Sequence, residues 1–299
     1  MSKKTALTLT VVANMTSNYS EGLGNIGSVQ KVYRNQKAYA TRSRESLKNA
    51  IMVQSGMYDD LQTDIVGGKQ KKVSQKKVSE EINAANCRAL EGGYMNTKEL
   101  TYVRNSSFYL TDAISCDSFI NEARFHNNLY VATNYAKATG INLQEKATDA
   151  GLMPYQYEYD KSLKVYSMTI DLEMIGKDEN FSAEASAQEK AERVIALLDA
   201  VKNLSLVVRG NLDNAEPLFV VGGLSERKTH YFENVLHVHK EELCITEDLK
   251  DKIAEGFSVG LMQSGTFKNE KEIMTELKPL SVHEFFDKVK EEVKEYYGQ

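Results

Sequence analysis

Residues 25–51, NIGSVQKVYRNQKAYATRSRESLKNAI, place the tightest limit on what this chain can fold into. They read as a short hairpin running straight into a helix. Val32, Tyr33, Ala38 and Tyr39 are strand residues on either side of a turn near Asn35. Ser43 suits the N-cap of a helix extending to about Gln54, with Leu47, Ala50 and Ile51 as its apolar stripe. Arg44 and Lys48 stand four apart on a neighbouring face. The stretch is also basic. Residues 1–77 hold thirteen Lys and Arg against five Asp and Glu, a balance of +8 in a chain of net charge −5, so the remainder carries −13. Positive charge concentrated at one end of an acidic protein is how a local polyanion site looks in sequence. A solvated basic face is the competing reading.

The segments before and after this unit extend the pattern. Leu7-Thr8-Leu9-Thr10-Val11-Val12 alternates as a first β-strand does, and a secretory signal would need a continuous apolar run. A polar loop follows, NMTSNYSEGLGNIGS. Residues 56–154 lose clear periodicity and read as an insertion of irregular loops and short strands, with Pro154 at its close. Tyr155 to Ile175 predicts a strand pair turning at Asp160-Lys161. Residues 183–203 predict a helix on Val194, Leu197, Leu198 and Val201. Leu204–Arg209 and Leu218–Val221 read as strands separated by RGNLDNAEP, and Phe232–Val238 as another strand. Helices are expected near 246–255 and from Val282 to Tyr297, with an apolar piece FSVGLMQSG between. The element order predicts an α+β fold, a β-α-β-β-α-β ferredoxin-like or RNA-recognition arrangement elaborated by an insertion.

Composition removes several classes of function. No apolar run is long enough to cross a bilayer, so no membrane partner is expected. Cys87, Cys116 and Cys244 are odd in number and widely spaced, which points to a reducing cytoplasm rather than a disulfide framework or zinc site. His237-Val-His239 would share one face of a strand, but no third ligand stands at metal-site spacing. Asp59, Asp60, Asp64 and Asp112 could hold a cation or act as bases, although surface carboxylates are common. No nucleotide-loop, hydrolase or dinucleotide fingerprint is present. The expectation is a protein without catalytic residues, metal or cofactor.

Polyanion binding is the stronger chemistry. A helix N-terminus offers free N–H groups and the positive end of its dipole. Arg42 and Arg44 flank Ser43 at such a terminus, and Lys31, Arg34 and Lys37 lie on the hairpin before it. Asn18 and Asn25 in the preceding loop can hydrogen-bond sugar or phosphate. Tyr33 and Tyr39 could stack on bases, or belong to the core. Lys69, Lys71, Lys72, Lys76 and Lys77 form a second basic run that reads equally well as a solvated loop.

VVANMTSNYSEGLGN, QKVYRNQKAYATR and SRESLKNAI together resemble the backbone subunit of type I CRISPR interference complexes (Cascade), within the Cas-seven superfamily and its DevR-like, type I-B branch. KKVSQKKVSEE, ISCDSF and Gly222-Gly223 also fit. The resemblance implies a modified RNA-recognition-motif palm from residues 1–68 and 155–245, with a thumb loop within 205–232. It further implies a fingers insertion over 69–154 and a C-terminal helical extension, 246–299, packed on the palm. It implies partners as well: CRISPR RNA, target DNA, further copies of the chain in a head-to-tail filament, and other Cascade subunits. On the matching positions, Asn18 fits the polar residue after the first strand, Lys31 and Lys37 the basic hairpin, and Ser43 the serine opening the helix. Lys48 stands where arginine is expected, and Glu45 where glutamine is frequent. Arg34, Arg42 and Arg44 are added from charge and placement, and Arg227 and Lys228 as thumb contacts. The implied function is a non-catalytic, RNA-binding backbone subunit in antiviral defence. The alternatives are a metal-dependent RNA endonuclease subunit like type III relatives, using Asp112 or Asp64, and a scaffold whose basic end meets an acidic protein.

Overall fold

The structure is a computed structural model that describes residues 3–19, 26–66, 72–75, 77–97, 100–121, 123–208 and 210–299. Its frame is a nine-stranded sheet. In chain order the strands are β1 (Ala6–Thr16), β2 (Lys31–Arg34), β3 (Lys37–Arg42), β4 (Phe108–Leu110), β5 (Ala113–Ser115), β6 (Lys161–Asp171), β7 (Pro217–Ser225), β8 (Ser258–Leu261) and β9 (Leu280–Ser281). The helices are α1 (Arg44–Gln54), α2 (Leu129–Thr139), α3 (Ala187–Lys202), α4 (Glu247–Ala254), α5 (Glu270–Leu277) and α6 (Val282–Tyr297). Strands lie in the order β9-β8-β7-β1-β6-β5-β3-β2, with β4 also paired to β6. All pairs are antiparallel except β8 with β9. The protein is mixed α+β.

β1 sits between β6 and β7 and is buried on both faces. Its odd-numbered residues, Leu7, Leu9, Val11, Ala13 and Met15, meet α1, α3 and α6 in the main core. The even-numbered face carries Thr8 and Thr10, both buried. Thr10 and Ser167 share a hydroxyl hydrogen bond of 2.7 Å, so burial leaves no polar atom of that pair stranded. Further along, Val12 packs with Phe219, Val221, Phe232 and Leu236 in a second core.

The helices form where caps and apolar stripes coincide. The Ser43 and Ser186 hydroxyls accept the backbone N–H three residues on. Ser281 and Glu284 make a reciprocal capping box that opens α6. α6 then buries Val282, Phe285, Phe286, Val289 and Val293, the clearest apolar stripe in the chain. At the hairpin, Asn35 and Gln36 both take positive φ (48° and 62°), the geometry that matches a two-residue turn to strand twist.

Several expectations change. Tyr155–Glu158 is a strand, but it pairs with Ala123–His126 and Ile26–Gly27 rather than with β6. RGNLDNAEP is no plain connector, since Ser205–Val208 and Asn211–Asn214 close on each other as a hairpin. β7 runs on through Gly222-Gly223 to Ser225. A side chain at Gly222 would place its Cβ 2.0 Å from the Thr8 carbonyl oxygen, so the tight approach to β1 explains the glycine. Phe232–Val238 is mostly turn, with only Val238–His239 in a strand, because Tyr231, Phe232 and Leu236 anchor it to the sheet by side chains. Residues 69–154 include β4 and β5, both strands of the central sheet. The C-terminal stretch packs α6 on α3 and also adds β8 and β9 to the sheet.

Glu91 is fully buried and ties the irregular chain to this frame. One carboxylate oxygen accepts from Arg193 Nη1 (2.8 Å) and Gly176 N (2.7 Å). The other accepts from Arg104 Nη2 (3.0 Å) and the Ser107 hydroxyl (2.6 Å). Removing Glu91 leaves the buried Arg104 guanidinium without a counter-charge and Arg193 with Glu189 alone. Glu91→Ala should therefore lower unfolding free energy by ~3–5 kcal/mol, read from urea unfolding curves. A change under ~1 kcal/mol would show that the cluster does not hold the fold.

Candidate nucleic-acid interface

The hairpin β2–β3 and the start of α1 carry most of the sequence-predicted cations, and the structure divides them sharply. Arg34 and Lys37 are exposed and have no ion pair among the described residues. The Arg44 side chain is 63% exposed; its Nε bonds Glu45 Oε1 at 2.9 Å, while both Nη atoms stay open. Arg34 and Lys37 present unpaired charge at one edge of the sheet, and Arg44 adds a guanidinium shared only with the exposed Glu45.

Two others are committed to the fold. Lys31 Nζ meets Glu158 Oε2 at 2.5 Å with both side chains mostly buried, and stands 4.6 Å from the centre of the Phe119 ring. Lys48 Nζ donates to the Gly92 carbonyl (2.8 Å) and the Ser106 hydroxyl (2.9 Å), over the Phe108 ring. Burial pushes its pKa down. Both residues look like free cations in sequence because their partners lie 127 and 44 or more positions away.

The helix N-terminus also differs from expectation. The Asn18 carboxamide oxygen accepts the Ser43 N–H (2.8 Å), and Asp112 Oδ1 accepts the Arg44 N–H (2.8 Å). Ser43 Oγ takes the Ser46 N–H at 3.2 Å, and Glu45 accepts its own backbone N–H, which holds its carboxyl below the usual range. First-turn donors that could have met phosphate are thus already satisfied inside the protein. What Ser43 retains is its hydroxyl proton. Asn18 is a positioning residue here: its own N–H donates to Thr41 and its carbonyl accepts from Gln30, which stitches the loop after β1 to β3.

Arg42 is the exception among the buried groups. It is 4% exposed, yet its Nε and Nη1 have no hydrogen-bond partner. Burial depresses its pKa, and Asp213 nearby opposes that shift. The Thr16 hydroxyl is a second unpartnered buried atom, and Thr16 and Arg42 both have Asp213 as a neighbour. Buried donors left without acceptors cost stability, so native proteins seldom keep them without reason. An oxyanion is the strongest acceptor for guanidinium N–H groups left in this state.

Asp213 holds the 205–214 hairpin beside this spot. Its side chain is fully buried and accepts from Thr16 N (2.7 Å), Asn211 Nδ2 (2.7 Å) and Lys161 Nζ (3.4 Å). Lys164, also buried, donates to the Met15 carbonyl and to Asp160.

The remaining predicted residues lie elsewhere. Arg227 leans on Tyr231, and Lys228 bonds Asp171 (3.0 Å) and Glu173 (3.1 Å), at the end of β1 where Ala6 pairs with Asp171 and Ser225. Thr16 and the basic hairpin are at the opposite end, roughly 33 Å away at ~3.3 Å per residue. Arg227 and Lys228 therefore do not join the others in one site. Asn25, Lys69, Lys71 and Lys76 lie outside the described residues. His237 and His239 do not converge: His237 Nε2 contacts the Asn234 carbonyl, and His239 pairs with Asp117. Among the described residues no group of three His, Cys, Asp or Glu is placed to hold a metal ion. No helix of the described residues is long and apolar enough to cross a membrane.

A family model described as CRISPR-associated negative auto-regulator DevR/Csa2 matches residues 7–242. No curated protein matches the chain. Among solved structures, a chain of a CRISPR RNA-guided surveillance complex in a pre-nicking state superposes with a TM-score of 0.58 at 10% identity, covering 87% of this chain and 93% of that one. A chain of a second CRISPR RNA-guided surveillance complex gives a TM-score of 0.50 at 12% identity, over 86% and 90%. These likenesses are of fold.

The Asp213 contacts predict a pH response. Burial raises its pKa, but the Thr16 N–H and the Lys161 ammonium outweigh that and leave it lowered. A depressed carboxyl stabilises the fold above its unfolded pKa of about 3.9 and loses that contribution as pH falls through the folded value. Amide exchange in 205–214 should accelerate relative to α6 as pH drops below about 4, and Asp213→Asn should abolish the difference. Equal pH dependence in variant and wild type would contradict the latch.

Proposed function

The chain belongs to the DevR/Csa2 family of CRISPR-associated proteins, and from that premise we propose that it is a non-catalytic subunit of an RNA-guided surveillance complex. It holds the sugar–phosphate backbone of a CRISPR RNA and leaves the bases for pairing with target DNA. One observation carries this reading. Arg34 and Lys37 stand exposed without an ion pair among the described residues, and Arg44 shares only an exposed pair with Glu45, beside a buried Arg42 whose Nε and Nη1 have no partner. Phosphate oxygens supply what such groups lack, and contacts of this kind grip any sequence.

Architecture supports the same reading. β1, α1, β4 with β5, β6, α3 and β7 run in β-α-β-β-α-β order, with β7-β1-β6-β5 adjacent in space, as in an RNA-recognition-motif palm. The inserted fingers then comprise chain on either side of β4 and β5 rather than one unbroken block. The 205–214 hairpin is the thumb, and its exposed Val207 and Leu212 meet the next copy in a head-to-tail filament. Asp112 caps α1 in this account, so RNA cleavage dependent on Asp112 in the presence of magnesium would overturn the non-catalytic assignment.

Arg34→Glu combined with Arg44→Glu tests the site, because both side chains are exposed and their replacement spares the core. Single-stranded RNA affinity should fall at least tenfold, and the slope of log affinity against log salt should become shallower by about 1.4. Circular dichroism and unfolding midpoints should be unchanged. Undiminished RNA binding with an unchanged salt slope would refute the interface.

A further inference from the structure

Arg42 differs from the other cations of the hairpin edge in where its guanidinium lies. Arg34, Lys37 and Arg44 face solvent. Arg42 is 4% exposed, and its Nε and Nη1 are sealed from water without a hydrogen-bond partner. The chain closes around it from two sides. The Asn18 N–H donates to the Thr41 carbonyl (3.0 Å), and the Asn18 carboxamide oxygen accepts the Ser43 N–H (2.8 Å). Those two bonds fasten the segment after β1 to the backbone on either side of Arg42. On the other flank, Ala113 of β5 pairs with Arg42 along the ladder.

The charges in this region do not balance. Buried Lys164 is paired with Asp160 (2.6 Å), and Lys161 with the fully buried Asp213 (3.4 Å). Asp213 is the carboxylate whose charge acts on Arg42, but its oxygens already hold Thr16 N, Asn211 Nδ2 and Lys161 Nζ. Three cations therefore share two carboxylates, and Arg42 is the one left without a hydrogen-bonded counter-charge. A buried lysine or histidine can answer such a deficit by losing its proton. A guanidinium keeps its proton across the physiological range, so its charge has to be met by an anion. Water would satisfy the N–H groups and leave the charge uncompensated.

We propose that the free protein binds one small inorganic anion of single charge, of the halide class, at Arg42 Nε and Nη1. It serves there as a structural counter-ion where the segment after β1 meets β3. The one missing charge sets the valence, and the enclosure sets the size. A phosphodiester reaches these atoms only if Asn18 releases Thr41 and Ser43, whereas a lone ion is held with both bonds in place. This goes beyond the RNA-binding reading, because the ion is a ligand of the chain without RNA. An RNA phosphate offers acceptors of the same kind, so the test excludes RNA.

The whole protein, freed of nucleic acid, is melted at constant ionic strength while sodium chloride replaces sodium gluconate, whose anion is too bulky for an enclosed seat. The unfolding midpoint should rise with chloride and then level off, by about 2–4 °C in all. Arg42→Met should be insensitive to the exchange. In gluconate it should be at least as stable as wild type, because an apolar side chain replaces a buried charge that has no counter-ion there. A crystal of the wild-type protein soaked in bromide should show an anomalous peak against Arg42 Nε and Nη1, a readout that needs no variant to fold. Equal wild-type midpoints in the two salts, a chloride response that Arg42→Met retains in full, or no bromide at Arg42 overturns the site.

Discussion

The carboxylate of Glu91 is the point on which the rest of the structure depends. Four donors from three separate stretches converge on it: Arg104 and Ser107 from the irregular chain, Gly176 from the turn after β6, and Arg193 from the middle of α3. Arg193 Nη1 and Nη2 then reach the Ala84 and Ala85 carbonyls, and Arg104 reaches those of Leu90, Met174 and Lys177. Apolar packing alone does little for residues 77–107, which are rich in Asn, Glu and Ser and bury only a small apolar cluster. A fully satisfied buried charge cluster replaces it, and gives one defined seat to a segment with almost no regular structure.

That seat governs the interface. Gly92 and Ser106 flank the Glu91 cluster, and both hold Lys48 of α1. The helix is thereby fixed from its side, while Asn18 and Asp112 fix its first turn. With orientation supplied by these contacts, Arg34 and Lys37 need no carboxylate to place them. They and the open Nη atoms of Arg44 stay available to a polyanion, whereas Lys31 is paired with Glu158 and Lys48 is buried on the Gly92 carbonyl and the Ser106 hydroxyl. Function here depends on which cations the fold leaves unpaired rather than on how many the sequence contains.

Local patterns gave much of the fold to a reader of the sequence. The hairpin with its turn at Asn35, the cap at Ser43, the stripe of α3 and the limits of α6 all follow from spacing within a dozen residues. What failed was long-range. The pairing of Tyr155–Glu158 with Ala123–His126, and of β4 and β5 with β6, is decided by packing that leaves no local mark. Segment 232–238 looked like a strand because its apolar residues are real, but they anchor a turn. The site was legible to the same degree. Charge clustering pointed to the hairpin edge of the sheet, yet it could not reveal that Asp112 and Asn18 occupy the helix terminus, nor that Arg227 and Lys228 sit at the far end of β1.

The most direct test is a structure of the protein bound to single-stranded RNA. The account predicts phosphate oxygens within about 3 Å of Arg34, Lys37 and Arg44. RNA tracking instead along the Arg227 and Lys228 end of the sheet, with the hairpin bare, would contradict it.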